Sequence, residues 1–426
     1  MAGIQQADSD PVSSRSGGSA DGSSGTPGTS TSHGGSQSAL RERNIAALTT
    51  ALRTAGPQHQ AALARATGLS RATVSNLVGL EVAAGRFTSQ RLLAGSHWAT
   101  IIALADDGYH VAGVDIGRTH LHLALSNTDR SMHTQRRFPL PVGHHPADTF
   151  ATVRRLLDEM LADEGIDRSH IRRVGICIPA SISSAGYVVQ ETVFTQWAGV
   201  NIASLAAEVL AMDVVVDNDA NLGALAHGQL DIHGQVDNRG TLVYVKLASG
   251  IGAGIMVGDQ LYHSTSGLVG EIGHVQVSTA GQICYCGARG CLETLASTRS
   301  VVADYSQVHG VEASIDDVVA ALEREDRAAV RIVAEAGDAL GRVLAMVCNL
   351  LGPSVIVVGG PLVDTSPILI DAVVAAVHYR VQPDVMKATQ FQVSRLGARA
   401  EVIGACLAAH CPPRGAAQAH SISECI

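Results

Sequence analysis

Between Glu271 and Glu293 the chain reads EIGHVQVSTAGQICYCGARGCLE, and four residues of this stretch are metal-ligand types: His274, Cys284, Cys286 and Cys291. One imidazole and three thiolates suit a tetrahedral zinc ion. With all four positions taken by protein there is no open site for an activated water, so the ion is expected to be structural, pinning a loop without doing chemistry. Glycines 281, 287 and 290 would let that loop bend tightly, since glycine tolerates positive φ. The same spacing, Cys-x-Cys-x4-Cys ten residues after a histidine, leaves two other readings: a disulfide between two of the thiols, or three unrelated core cysteines.

Two further groups could carry chemistry. Val214-Val215-Val216 runs into Asp217-Asn218-Asp219-Ala220-Asn221. A carboxylate at the C-terminal end of a strand, above the start of a helix, faces a cleft in open α/β sheets. From Asn218-Asp219-Ala220-Asn221 alone, an ordinary Asx helix cap is the better reading. The second group is three glycine-rich strand turns: Asp115 to Thr119 with Gly117, Ser249 to Gly254 with Gly250, Gly252 and Gly254, and Gly359-Gly360 after Val355 to Val358. Such turns are weak evidence for nucleotide when taken singly.

The elements that must position these residues follow from periodicity and punctuation. Residues 1–38 hold 11 Ser and 8 Gly with almost nothing apolar, so they are expected to form a disordered tail. From Leu40 the spacing turns helical, with Leu40, Ile45, Leu48 and Leu52 on one stripe and Gly56-Pro57 as a stop. A second helix through Leu63 to Ala66, the turn Thr67-Gly68-Leu69-Ser70 and a helix from Arg71 to about Glu81 make a helix-turn-helix, with Ser70 placed as N-cap. At 100° per residue Val74 and Leu77 point one way while Arg71, Ala72, Ser75, Asn76 and Gly79 point the other. That face is small and polar: it could sink into a major groove, with Arg71 or Asn76 reading guanine or adenine. Gly85 to Ala103 reads as a two-stranded wing turning at Ala94-Gly95-Ser96.

The body opens with a strand at Val111 to Asp115 and a second at Leu121 to Ser126. A helix from about Asp148 to Glu164, strands at Val174 to Pro179 and Thr241 to Leu247, a helical region strongest from Val330 to Leu351, and a last helix at Glu401 to Ala409 complete it. Strands and helices alternating in two similar halves imply two α/β lobes around a cleft. The expected organisation is a tail (1–38), a winged helix-turn-helix (39–105), a two-lobed body (106–410) with the metal loop at 274–291, and a loose tail (411–426).

The ExGH element leading into CxCGxxGCxE resembles the signature of the ROK family (repressors, open reading frames and sugar kinases). The resemblance implies an actin-like (ribonuclease H-like) body, zinc on His274, Cys284, Cys286 and Cys291, and sugar contacts from Glu271, His274 and Glu293. It makes Asn218 a further sugar contact and Asp219 the base that would accept a proton from a sugar hydroxyl. Asp115, Gly117, Thr119, Gly250, Gly252, Gly254, Gly359 and Gly360 fall on its nucleotide loops. The family's kinases carry DxGGTK at the first loop where this chain has Asp115-Ile-Gly-Arg-Thr-His120. Arg118 in place of the second glycine is expected to crowd the backbone approach to ATP phosphates, and a DxGRTH loop is similar to those of the family's regulators.

The 426 residues carry a net charge of −9, so the chain as a whole is no polyanion binder. Seven arginines stand against Glu42 and Glu81 between Ala39 and Gly95, a local +5 that leaves −14 for the rest. A basic module on an acidic body points to nucleic acid at one end only. No apolar run is long enough to span a bilayer, no basic-then-apolar leader opens the chain, and the eight cysteines agree with a reducing compartment. The expectation is a cytoplasmic, sugar-responsive regulator that binds operator DNA as a homodimer or tetramer, with structural zinc. The alternative is an ATP-dependent hexose kinase with a DNA-binding appendage.

Overall fold

The computed structural model describes residues 34–55, 58–94, 97–105, 108–183, 185–189, 195–230, 240–264 and 266–410. Both expected tails fall largely outside these, as does the turn at 95–96. The chain divides into two units, residues 1–43 and 44–426. Helix α1 (Gly34–Ala55) begins upstream of the expected start. Leu40 is 52% exposed, so the buried stripe begins after it, with Leu48 and Leu52.

Strand β1 (Gln58–His59) leads into α2 (Gln60–Thr67), and Gly68 at φ 68° ends that helix. Ser70 then accepts the Thr73 N–H at 3.1 Å to cap α3 (Arg71–Ala83). β2 (Phe87–Ala94) and β3 (His97–Leu104) form an antiparallel wing in the register Phe87↔Leu104 to Ala94↔His97, and β1 adds to the other edge of β3. Leu48, Leu63, Val74, Leu77, Phe87 and Ile102 meet in one core. Each such side chain contributes about 1.5–3 kcal/mol by leaving water. Glu81 is buried beneath the wing and takes a two-pronged guanidinium from Arg86, at 2.5 and 2.7 Å. One of the seven arginines therefore braces the junction of α3 and β2.

The body contains two five-stranded sheets. The first comprises β4 (His110–Ile116), β5 (His120–Asn127), β6 (Met132–Pro139), β7 (Ile171–Ile178) and β8 (Val214–Asn218), in the order β6-β5-β4-β7-β8. The second comprises β9 (Thr241–Leu247), β10 (Ile251–Val257), β11 (Gln260–Leu261), β12 (Val355–Gly359) and β13 (Gln390–Val393), in the order β11-β10-β9-β12-β13. In each, the first three strands pair antiparallel through hairpins and the last two run parallel. Parallel neighbours require crossover helices. In the first lobe these are α4 (Pro146–Glu164) and α5 (Ile202–Leu210), followed by α6 (Asp219–Gln229). In the second, Arg327–Leu351 and Pro367–His378 lie before β12 and β13, and Ala400–Ala409 follows. The chain has used one topology twice.

α6 and the helix Ala400–Ala409 share a core with residues of both sheets, among them Val111 and Cys177 on one side and Leu242 and Val355 on the other. The approach is close enough to demand glycine. A Cβ on Gly175 would lie 1.9 Å from the Ala405 carbonyl, and one on Gly254 would lie 2.2 Å from the Ala220 carbonyl. Among the described residues no helix is long and apolar enough to cross a membrane.

Candidate functional site

The C-terminal ends of β4 and β9 and the starts of β5, α6 and the helix Ala400–Ala409 bring together a set of buried charges. Asp219 opens α6, where its Oδ1 accepts the Ala220 N–H at 2.8 Å and its Oδ2 lies 2.8 Å from the Lys246 ammonium. The same ammonium is 3.5 Å from Glu401, which also accepts the Tyr244 hydroxyl at 3.1 Å. Asp115 completes the group and receives His120 Nε2 at 3.2 Å. Burial pulls the Lys246 ammonium down, but Asp219, Glu401 and Asp115 outweigh it and hold its pKa well above the usual lysine range. Burial pushes Asp115 up, yet His120 and Lys246 carry it below the ordinary aspartate value. Glu401 goes the other way, raised by burial and by the two aspartates despite Lys246. Lys246 thus pairs with two buried carboxylates and His120 with the third.

The glycine turns fall around this group in two different ways. A Cβ on Gly117 would lie 2.1 Å from the His120 ring, so the imidazole covers the turn that also carries Arg118 and Thr119. Gly250 lies in the β9–β10 turn, whereas Gly252 and Gly254 lie within β10 and serve the approach of α6, with Ala220 atoms against both. The expected loop is therefore shorter than Ser249 to Gly254. Gly359 ends β12 opposite Lys246, and Gly360 at φ 141° brings its backbone against the Leu247 carbonyl. Asn218 caps α6, accepting the N–H of Ala220 at 2.9 Å and of Asn221 at 3.4 Å and donating to the Ala180 carbonyl at 3.2 Å. The Asx-cap reading describes its amide; the adjoining Asp219 faces the cluster.

Beside the β9–β10 turn, where Glu293 lies against Gly250 and Gly273 against Ile251, His274, Cys284, Cys286 and Cys291 offer four ligand atoms all within 4.8 Å of one another. Cys286 and Cys291 sulfurs are 3.7 Å apart, and Cys284 Sγ is 3.6 Å from His274 Nδ1. A tetrahedron with Zn–S bonds of about 2.3 Å has edges of about 3.8 Å, whereas a disulfide requires about 2.05 Å. The thiols are free, which removes the disulfide alternative. Burial and the neighbouring sulfurs push the Cys291 thiol up to about 12, while the Ala288 N–H first among several donors lowers Cys286. The donor set fits a tetrahedral, thiophilic cation.

Nδ1 of His274 faces the sulfurs and Nε2 faces away, 4.0 Å from Glu271 and 3.2 Å from the Tyr285 hydroxyl. Glu271 accepts the Ser181 hydroxyl. Glu293, at the start of a short helix (Glu293–Ala296), accepts the Ile251 N–H at 3.2 Å and pairs with Arg299 at 3.2 Å. Burial raises its pKa above the usual glutamate value. Glu271, His274 and Glu293 thus converge beside the metal-type knot. Arg71, Ala72, Ser75 and Asn76 lie on the exposed side of α3. Sequence reasoning passed over Lys246, Glu401, Tyr285 and the pair His263–Asp217 at 2.7 Å. A lysine inside an apolar strand was the one available signal, in a chain with only two lysines.

A repeated sheet of this order with helices packed between the copies, carrying a three-thiol knot beside its cleft, defines a two-lobed actin-like (ribonuclease H-like) protein behind a winged helix-turn-helix. The ROK family profile matches residues 111–411, and the chain belongs to the ROK family. It is 25% identical over 364 residues to a putative xylose repressor of Caldicellulosiruptor sp., covering 81% of this chain and 90% of the relative. A glucokinase of Halalkalibacterium halodurans is 28% identical over 309 residues, covering 68% of this chain and 92% of the enzyme. Among solved structures, a ROK family transcriptional regulator described as a homolog of the E. coli MLC protein superposes with a TM-score of 0.68 at 22% identity, covering 86% of this chain and 95% of that one.

Proposed function

We propose that this protein is a sugar-responsive transcriptional repressor: α3 holds operator DNA, a structural zinc ion sits on His274, Cys284, Cys286 and Cys291, and a sugar binds at Glu271, His274 and Glu293. The observation that carries the proposal is the exposed polar face of α3 behind a glycine turn and a serine cap. The repressor relative also matches a larger share of this chain, 81%, than the glucokinase does, 68%. Zinc, when bound, supplies a rigid anchor for the loop. The chain's own groups do the recognition. Glu271 and Glu293 each have oxygens able to accept hydroxyl donors, and His274, with Nδ1 turned to the metal, has Nε2 for the ligand.

The kinase reading is disfavoured by the neighbouring cluster of buried charges. Asp219, the residue that would accept the hydroxyl proton, already shares its carboxylate with Lys246, and His120 covers Gly117 at the first phosphate turn. ATP-dependent phosphorylation of a hexose panel tests that reading, and turnover near about 1 per second, an ordinary enzyme rate, would restore it.

A homodimer reading two half-sites roughly 34 Å apart would respond to small changes in the spacing of its DNA heads. Binding is expected to weaken steeply with salt through the arginines of the N-terminal module. The test is fluorescence anisotropy on DNA from the protein's own promoter region in a salt series, with and without D-xylose, D-glucose and N-acetylglucosamine. Binding indifferent to DNA sequence and to every sugar would refute the repressor assignment.

A further inference from the structure

Tyr285 stands between two of the thiol ligands. Its hydroxyl lies 3.2 Å from His274 Nε2, and burial together with the nearby Glu293 carboxylate pushes the phenol's pKa up. The tyrosine and histidine rings meet edge-on, centroids 5.3 Å apart at 87°. Yet the residue is 44% exposed, so core packing does not hold the ring there. A phenol oxygen has one proton to give and lone pairs to accept, the same valences as a sugar hydroxyl. It stands beside two of the three groups assigned to the sugar, while the third, Glu271, is served by Ser181.

We propose that Tyr285 is a specificity-determining gate, its hydroxyl holding the place of one ligand hydroxyl between His274 and Glu293 and yielding that place when the sugar enters. The inference rests on the sugar reading above. A ligand that displaces the phenol must supply a hydroxyl to both partners, because a sugar lacking it would leave buried polar groups unmatched and be rejected strongly. The backbone at Tyr285 joins Cys284 to Cys286, so a displaced ring is felt at two metal ligands, and occupancy of the cleft is passed to the zinc loop.

The experiment is titration calorimetry of the full-length, zinc-loaded protein and its Tyr285→Phe variant with D-xylose, D-glucose and N-acetylglucosamine, with zinc content measured on both. The variant keeps the ring and removes the competing hydroxyl. It should bind a responsive sugar about five- to tenfold more tightly, the equivalent of one net hydrogen bond, with zinc unchanged. Equal affinity overturns the gate. Weaker affinity overturns it as well, because the hydroxyl would then contact the ligand instead of competing with it, and so does loss of zinc from the variant. Silence of both proteins toward all three sugars withdraws the sugar reading and the gate together, an outcome distinct from equal affinities.

Discussion

Two neighbouring clusters beside the β9–β10 turn, a buried floor and a rim at the zinc-type knot, contain similar chemistry arranged to opposite effect. At the floor, Asp115, Asp219 and Glu401 are all deeply buried and closed around Lys246 and His120. At the rim, Glu271, His274 and Glu293 are met mainly by neutral donors: a serine hydroxyl, a tyrosine hydroxyl and a backbone N–H, with Arg299 the one charged partner. A buried ion pair is costly to open, because each partner is left as an uncompensated charge. A hydroxyl-to-carboxylate bond exchanges for another hydroxyl at little net cost. The floor is therefore built to stay as it is, while the partners at the knot can be exchanged. A locked floor beside an exchangeable rim is the arrangement that the proposed sugar-responsive repressor requires.

The harshest way to break this comparison is to remove the anchor of the exchangeable rim. Structural zinc carries an apparent binding free energy of about 10–16 kcal/mol that is shared with folding of its loop. Cys286→Ser is therefore expected to lose zinc and sugar affinity together and to lower the melting temperature. DNA affinity of the N-terminal helices should survive at low temperature. A variant that has lost its zinc by elemental analysis but keeps full sugar affinity would show that the knot does not organise the rim.

The locked cluster is tested by Lys246→Met, which leaves the buried Asp219 and Glu401 without their cation. Truncating one partner of such a group costs about 3–5 kcal/mol, measurable as a shifted urea midpoint. Adding Asp219→Asn should recover part of the loss, since neighbouring groups in one network couple. Asp219→Asn alone should leave operator binding intact. An unchanged midpoint in Lys246→Met would mean that the floor is not desolvated and the comparison is misdrawn.

The rim was far more legible in the sequence than the floor, for a physical reason. A metal knot draws its ligands from one short segment, so residues 271–293 announce the site by local spacing. The helix-turn-helix is legible on the same grounds: Gly68 and Ser70 act on their immediate neighbours, and Val74 and Leu77 are buried as the wheel requires. The floor is assembled from β4, β5, β9, α6 and the helix Ala400–Ala409, and no local pattern ties Lys246 to Glu401, more than 150 positions away. Gly252 and Gly254 misled for the same reason. Their glycine pattern is shared by phosphate turns and by strands against which a helix must pack closely, and only the fold shows Ala220 lying over them. Leu40 was misread because helical spacing gives a stripe its phase but not its end.

The gentlest probe is pH, and it too should separate the two clusters. His122, on β5 beside Asp115, is held below the ordinary histidine value of 6.5 chiefly by burial, helped by Arg137 and His120 and opposed by Asp115 and the Ala398 backbone. His144 is lowered by burial as well, against the pull of the Gly117 carbonyl. For a histidine whose folded pKa is depressed, the unfolded chain takes up its proton first as the solution is acidified. The stability such a group contributes is complete above pH 6.5 and is lost as pH falls through the lower folded value. The melting temperature is expected to decline between pH 7.5 and 5.5, and His122→Gln should remove part of that decline. Because protons also compete for the thiolates and His274, the informative quantity is the difference between the variant and its parent at equal zinc content. A His122→Gln profile parallel to the parent's across the whole range would place the acid sensitivity away from His122, at His144 or the metal-ligand knot.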